Sequence, residues 1–267
     1  MNKIQEENPY FHVVFKEANM FKQLIKSLKS LINETVFHCT ENGIRIESMD
    51  DTHVSLTTVK LNANAFREYI CQQPMKLGID LIKLDDILRS VDSNSIVTID
   101  KIKENDSILH IIIQNETQTI NNQLSLEIIN FEEYEIQTED FNCIVTISSK
   151  ELLNVTKTFL SSDDSERMCI KCNKHEITFY SLHQKDNKIT FTKNSNNSKH
   201  STLDIIHHSN VTILLSRDFL SKFVKSASLS STVTLYLSNN FPLVMEYKGL
   251  GFLLKYYLAP METESNA

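Results

Sequence analysis

Residues 20–32, with the sequence MFKQLIKSLKSLI, combine an apolar helical face with an uninterrupted row of lysines. The apolar side chains recur at helical spacing and are Phe21, Leu24, Ile25, Leu28 and Leu31. This spacing predicts an amphipathic α-helix. On another face lie Lys22, Lys26 and Lys29, with no acidic residue among them. For one helix alone, such a row is typical either of a solvated face or of a face that meets phosphates.

The composition is that of an ordinary globular protein. The chain has 267 residues, of which 41% are hydrophobic and 23% charged, and this length suits one large domain or two smaller ones. No apolar run is long enough to cross a bilayer, so we expect no membrane partner. The first ten residues, MNKIQEENPY, lack the apolar core of a signal peptide, so we expect an intracellular protein.

Five cysteines at irregular spacing argue against a disulfide framework. Cys169 and Cys172 have the CxxC spacing of metal and redox sites. No second CxxC accompanies them, and they lie in a strand-like segment, so we interpret both as structural residues. His207 and His208 precede a predicted strand and are interpreted as solvated. We therefore expect no metal and no cofactor.

The first half of the chain is predicted to contain two helices among short strands. The second helix covers residues 81–91 (LIKLDDILRSV), whose apolar face comprises Leu81, Leu84, Ile87, Leu88 and Val91. Alternating or apolar runs predict strands at 11–15, 36–39, 44–48, 54–61, 66–69, 96–99, 108–113 and 124–129.

Residues 130–140 (NFEEYEIQTED) interrupt this pattern, because they are acidic and poorly periodic. After them the order recurs, with helices at 149–160 and 217–227. Strands are predicted at 143–147, 168–172, 177–181, 188–193, 201–206, 211–215, 232–237, 243–247 and 252–258. We therefore predict an N-terminal domain of residues 1–129 with a loose tail at 1–9, a linker of residues 130–141, and a C-terminal domain of residues 142–267 with an acidic tail.

The recurrence indicates an internal duplication. For example, SNSIVTI (residues 93–99) follows the second helix as SSTVTL (residues 230–235) follows the fourth. Each half then offers two helices packed on antiparallel sheets, which is an α+β fold.

Positive charge is concentrated on the four predicted helices. They are net positive together, although the whole chain has a net charge of −7. This distribution suits a protein whose helices face a polyanion while its other surfaces repel one. Because no aromatic residues are interleaved with the bases, the pattern indicates phosphate contact rather than base stacking or sequence reading.

Five further segments are shared with a known family. They are residues 31–34 (LINE), 48–56 (SMDDTHVSL), 229–235 (LSSTVTL), 242–248 (PLVMEYK) and 254–260 (LKYYLAP). In this order they closely resemble the eukaryotic sliding clamps, the proliferating cell nuclear antigen family, and the likeness runs from about Phe11 to the C-terminus. The resemblance implies a DNA clamp fold: a closed homotrimeric ring of six similar domains, with helices lining the hole and sheets forming the rim.

The resemblance also implies a function. Such a clamp encircles double-stranded DNA without sequence preference, serves as a processivity factor for DNA polymerase, and is a docking platform for replication and repair proteins in the nucleus. Its implied partners are DNA, copies of itself, DNA polymerase, the clamp loader and other proteins with short aromatic docking motifs. Encirclement keeps a docked partner at high effective concentration on the template, so each DNA contact can stay weak.

Basic residues on the helices carry the implied DNA contacts. By resemblance these are Lys22, Lys29, Arg89, Lys157 and Lys225. Helical spacing alone adds Lys26 and Lys222. Two positions depart from the family, since Asp86 and Asn154 stand where it has a base. The second helix is thereby neutral, and we expect weaker DNA contact from it.

A hydrophobic partner-binding pocket is implied beside the linker, where the family receives a short 3₁₀ turn with two aromatic side chains. The matching residues are Met49, His53, Val54, Leu56, Tyr134, Ile136, Pro242, Tyr257, Ala259 and Pro260. Exposed methionine, proline and tyrosine form an adaptable apolar surface. Without the resemblance, Met49 and Leu56 fit a plain sheet core. The linker lacks the glycine and proline of the family, so partner preference is expected to differ.

Subunits of the family join edge strand to edge strand, and we expect these edges at residues 123–129 and 176–181. Lys174 aligns with a lysine that carries ubiquitin or related modifiers in the family. It lies in a predicted turn, so it is either a modification site or an ordinary turn lysine.

Two alternative functions come from different classes of protein. The altered linker and neutral second helix suit a divergent paralogue, such as a subunit of a heterotrimeric checkpoint-type clamp or a damage-specific second clamp. A hydrolase or nuclease would need a catalytic motif, and the chain has only four glycines, no GxSxG, no P-loop and no DExK-like pair after a strand. Asp50 and Asp51 belong to a clamp-like segment and are interpreted as loop residues, so we predict no enzyme.

Overall fold

The computed structural model describes residues 9–104, 106–131, 134, 140–162, 166–181, 187–193, 202–239 and 241–262. The chain forms two compact units. The first comprises residues 1–48, 58–133 and 250–252, and the second comprises residues 49–57, 134–249 and 253–267. Most of the predicted loose tail, linker and acidic tail lies outside the described residues.

The strands up to residue 125 are β1 (Phe11–Phe15), β2 (Glu34–Thr40), β3 (Gly43–Met49), β4 (Ser55–Asn62), β5 (Phe66–Cys71), β6 (Met75–Asp80), β7 (Ile96–Lys101), β8 (Ile108–Gln114) and β9 (Thr119–Ser125). The helices among them are α1 (Ala18–Lys29) and α2 (Leu81–Ile87), with 3₁₀ turns at Ala63–Ala65 and Leu88–Ser90.

The strands after residue 142 are β10 (Cys143–Ser148), β11 (Arg167–Cys172), β12 (Glu176–Ser181), β13 (Lys188–Thr192), β14 (Asp204–His207), β15 (Val211–Ser216), β16 (Thr232–Leu237), β17 (Leu243–Gly249) and β18 (Phe252–Leu258). The helices are α3 (Ser149–Ser162) and α4 (Arg217–Phe223), followed by a 3₁₀ turn at Val224–Ser228.

Both units have antiparallel sheets with a helix pair, which confirms the predicted α+β class. In the first unit, β5-β1-β7-β8-β9 form a five-stranded sheet, and β2 pairs with β3 and β6. In the second unit, β13-β12-β11-β15 form a four-stranded sheet, and β10 pairs with β14 and β16. Helix α1 packs against α2, and α3 packs against α4 and its 3₁₀ extension.

The apolar faces predicted from the sequence form the cores. In α1, Phe21, Leu24 and Leu28 are fully buried, and the Phe21 ring stacks on Phe15 of β1 at 4.0 Å. In the second unit, Phe223 of α4 stacks on Tyr256 of β18 at 4.4 Å. Burying such side chains stabilises a fold by about 1.5–3 kcal/mol each. Each helix therefore turns its apolar face to the core and its polar face outward.

Several predicted boundaries are wrong for local reasons. The predicted helices 81–91 and 217–227 each end in a 3₁₀ turn instead of a full α-helical turn. The sequence pattern does not predict strand β6, because Gly78 interrupts its apolar run. A Cβ at Gly78 would lie 2.0 Å from the carbonyl oxygen of Glu127, so this close approach requires glycine.

The strand predicted at 124–129 lies instead at β9, seven residues that end at Ser125. The backbone leaves the β8–β9 ladder there, because the N–H of Glu127 donates to the carbonyl of Gly78 at 3.0 Å. The apolar run LSLEII therefore belongs to a segment beside β6 rather than to a regular strand.

Across the part of the chain that the structure describes, no helix is long and apolar enough to span a membrane.

Candidate nucleic-acid interface and docking surface

The lysine row of α1 divides into one exposed residue and two that are engaged. Lys26 is exposed, and no described residue pairs with it. Lys22 is half-buried, and its Nζ donates hydrogen bonds to the carbonyls of Arg89 and Val91 at 2.8 and 2.6 Å. These carbonyls lie where the chain leaves α2, so Lys22 joins α1 to the C-terminal end of α2.

Lys29 is neutralised by an acid that the sequence pattern of α1 does not contain. Its ammonium contacts the carboxylate of Asp85 in α2, and the two side chains are only 29% and 12% exposed. No acid interrupts the row within α1, as predicted, but α2 supplies one from across the helix pair. Helical spacing in α2 could have predicted this pairing. Asp85 lies four residues after Leu81 and next to Leu84, so it falls on the buried side of α2.

Helix α2 carries further compensating pairs. Arg89 pairs with Asp86 at 2.7 Å, with both side chains largely exposed. Lys83 pairs with Asp80 at 3.2 Å and with Glu127 at 2.9 Å. This second helix is therefore neutral at close range, as its sequence predicts.

The second unit presents freer cations. Lys157 of α3 and Lys225 after α4 are exposed, and among the described residues neither has a hydrogen bond or ion pair. Lys222 pairs with Asp218 one turn earlier at 2.8 Å and lies over the Phe219 ring at 5.2 Å. Lys150, which the site prediction omitted, is also exposed on α3, and its spacing from Lys157 is helical.

A loop built on Asp50 carries His53 and Val54 of the predicted docking surface. The buried Asp50 carboxylate accepts hydrogen bonds from the backbone N–H groups of Thr52 at 2.9 Å and Val54 at 3.0 Å, and also from Ser55. Burial opposes ionisation, but these hydrogen bonds, with that of the Thr52 hydroxyl, outweigh it and lower the pKa of Asp50. Within this loop His53 is exposed and has a φ of 58°, in the left-handed region.

The second unit contains the described pocket residues, and one hydrogen bond joins two of its segments. The N–H of Ala259 donates to the carbonyl of Val54 at 3.0 Å, which places the end of β18 beside the Asp50 loop. His53 and Pro260 are exposed. The half-buried members are Met49, Val54, Tyr134, Pro242, Tyr257 and Ala259.

Leu56 does not offer a surface. It is 9% exposed and lies with buried Ser55 and Thr57 in β4, which fits the core interpretation. Ile136 lies outside the described residues. The structure therefore places the end of β18 beside the Asp50 loop, and neither Leu56 nor Ile136 adds a described exposed side chain there.

The remaining candidates have simple surroundings. Lys174 is exposed in a turn held by the Asn173 side chain, which accepts from the N–H groups of His175 and Glu176 at 2.8 and 3.0 Å. Cys169 and Cys172 are buried in β11, and burial raises the pKa of both thiols, so neither is poised as a thiolate. Among the described residues, no three His, Cys, Asp or Glu side chains converge as a metal site.

Strands β9 and β13 each lie at one edge of their sheet. Strand β9 is one of the two outer strands of the five-stranded sheet, and the edge predicted at 123–129 overlaps it only at its last three residues. The edge predicted at 176–181 is wrong, because β12 is covered on one side by β11 and on the other by β13. The outer strands of the four-stranded sheet are β13 and β15, and β13 is the one that pairs with β12.

Comparisons with known proteins cover nearly the whole chain. The family model described as the proliferating cell nuclear antigen N-terminal domain matches residues 10–135, and the C-terminal domain model matches residues 135–261.

Individual relatives are consistent with these family matches. The chain is 29% identical over 250 residues to a protein of Chaetomium thermophilum named proliferating cell nuclear antigen, covering 92% of this chain and 95% of that one. It is 28% identical over 252 residues to a probable DNA polymerase sliding clamp of Autographa californica nuclear polyhedrosis virus, covering 94% and 96%. A crystal structure of proliferating cellular nuclear antigen from Entamoeba histolytica superposes with a TM-score of 0.86 at 36% identity, covering 95% of this chain and 100% of that one.

Proposed function

The chain belongs to the proliferating cell nuclear antigen family, and from this premise we propose that it is a DNA sliding clamp. In this role it encircles duplex DNA, holds DNA polymerase on its template and docks replication and repair proteins. The observation that carries the proposal is the match of both halves to the family, together with a TM-score of 0.86 to a solved member.

Three copies would close the ring through the free edges of β9 and β13. Each edge leaves unpaired backbone N–H and C=O groups, and pairing two edges satisfies them and removes an aggregation hazard. The residues of β9 carry no charge, so approach of β13, with its Lys188, meets no repulsion. We retain residues 1–129, 130–141 and 142–267 as the two domains and linker of each copy.

Exposed helix cations would meet the DNA backbone, and the surface around the Asp50 loop would receive short aromatic docking motifs of polymerase, clamp loader and other clients. Because phosphate contact carries no sequence information, the clamp can slide. We further propose a nuclear location, modification at Lys174 and no catalytic activity of its own. Incubating the protein with plasmid DNA and Mg²⁺ tests the last point, and cleavage would contradict it.

The native mass in solution tests ring formation directly. The chain has a mass of 30.8 kDa, and light scattering over a dilution series should give three times this mass. Retention on circular DNA, with release on linearisation, would then show encirclement. A persistent monomer would contradict self-assembly and favour a mixed ring with other subunits.

A further inference from the structure

We propose that the basic residues implied in DNA contact divide into two roles: Lys26, Lys157 and Lys225 contact phosphates, whereas Lys22 and Lys29 hold the first helix pair together. The proposal rests on the proposed clamp function. It assigns different roles to residues that the sequence alone treats as one set.

Lys22 is positioned to link α1 to the end of α2. An ammonium has three donors, and two of those of Lys22 are used by the carbonyls of Arg89 and Val91. Both carbonyls lie at the C-terminal end of the 3₁₀ turn Leu88–Ser90, where carbonyls lack helical partners and favour a cation. Turning Lys22 toward a phosphate would leave these groups without their donor.

Lys29 is held by a carboxylate that is less exposed than itself. Asp85 is 9% exposed as a residue, so withdrawing Lys29 would leave a poorly solvated acid unpaired, which is costly. A phosphate that approached Lys29 would also meet the negative charge of Asp85. The pair therefore contributes to packing of α1 on α2 and little to attraction of DNA.

Lys26, Lys157 and Lys225 differ from these two in both exposure and pairing. All three are exposed, and within the described residues none has a hydrogen bond or ion pair to give up. Arg89 and Lys222 are intermediate, because their acid partners are 52% and 68% exposed. Such surface pairs are weak and can exchange for phosphate.

The salt dependence of DNA binding separates the two roles. Each phosphate bound by a cation adds about 0.9 to the slope of log affinity against log salt concentration, because condensed counterions are released. Removing a lysine that binds phosphate must therefore lower this slope. Removing a lysine that links α1 to α2 must instead lower the midpoint temperature of thermal unfolding of the free protein.

The experiment compares single lysine-to-glutamine variants of the full chain. Binding to a short linear duplex is followed by fluorescence anisotropy across salt concentrations, and unfolding is followed without DNA. Lys157→Gln and Lys225→Gln should each lower the slope by about one for every phosphate no longer bound, and keep the midpoint. Lys22→Gln and Lys29→Gln should lower the midpoint and keep the slope. Lys171→Gln, an exposed strand lysine, is the matched control and should change neither.

Asp85→Asn adds a gain-of-binding test that does not depend on removing a lysine. It frees Lys29, so the slope should rise even though the helix pair loosens. An unchanged slope in Asp85→Asn, or a slope in Lys29→Gln as low as in Lys157→Gln with an unchanged midpoint, would overturn the division of roles while leaving the clamp function intact. A wild-type protein without salt-dependent duplex binding would overturn both.

Discussion

At the residue scale, Asp50 shows how one side chain can organise a binding loop. Its carboxylate accepts from three backbone N–H groups and a hydroxyl within five residues of itself. Charge-assisted hydrogen bonds of this kind are stronger than neutral ones. The loop that carries His53 and Val54 is thereby ordered before any partner arrives, which lowers the entropic cost of docking.

Asp50 should contribute acid-sensitive stability. Its pKa in the folded protein lies below the unfolded value of about 3.9, so its contribution is complete above that value and is lost as the pH falls toward the folded pKa. Asp50→Asn should cost about 1–3 kcal/mol at neutral pH and reduce the loss of stability in acid. Urea unfolding at several pH values measures this. The exposed neighbour Asp51→Asn is the control, and an equal effect there would argue against a specific role.

His53 should tolerate glycine better than a β-branched residue. Its φ of 58° is accessible to histidine but strained for valine. We expect His53→Val to destabilise the protein by about 1–2 kcal/mol and His53→Gly to stay within about 0.5 kcal/mol, since relief of strain offsets the greater freedom of unfolded glycine. Thermal unfolding compares the two variants. Equal stability of both would show that the loop relaxes freely.

At the element scale, the stability of the short helix α2 depends on the hydrogen bonds at its two ends. It has only seven residues before the 3₁₀ turn, and Asp80 caps its N-terminus by accepting from the N–H groups of Ile82 and Lys83 at 2.9 and 3.0 Å. Burial raises the pKa of Asp80, but the hydrogen bonds from Lys83 and Ile82 outweigh it and the pKa is lowered. Lys22 of α1 satisfies the other end.

Asparagine should replace Asp80 as a cap, whereas alanine should not. Asp80→Ala should lower the free energy of unfolding by about 1 kcal/mol, because two backbone donors lose their acceptor. Asp80→Asn keeps the acceptor and should retain most of the stability, with a small decrease from the ion pair to Lys83. Chemical denaturation resolves the difference. Equal decreases in both variants would assign the effect to that ion pair rather than to capping.

At the scale of the whole molecule, self-association depends on which strands lack a neighbour. Strands β9 and β5 are the two outer strands of the same five-stranded sheet. Only β9 takes part in the proposed contact between copies, so the two edges provide a test and its control within one sheet.

Charges on β9 should prevent assembly. The double variant Asn121→Lys with Gln123→Lys alters exposed side chains only, so the single chain should still fold, whereas lysines on an edge oppose pairing with another strand. Light scattering should show a monomer that no longer stays on circular DNA. The matched double variant Glu68→Lys with Ile70→Lys on β5 should remain assembled. Failure of both variants to assemble would count against the β9 contact.

Much of this protein follows from local sequence. Helical spacing located all four helices, strand alternation located the described strands except β6 and most of β9, and the recurrence of that order revealed two similar halves. The concentration of lysines on the helices was equally readable. These features depend on residues that are close in sequence, and the periodicity of apolar and charged side chains reports such local relations directly.

Only the tertiary structure decided how those charges are used and which edges are free. The acid that neutralises Lys29 lies 56 residues away, and the Val91 carbonyl bound by Lys22 lies 69 residues away. No local pattern encodes such pairings, because they arise when two helices pack. In the same way, the sequence of β12 is compatible with an edge strand, but in the structure β13 pairs with it. The sequence determined which faces are basic and which are apolar, whereas packing at long range determined which lysines remain available to a polyanion.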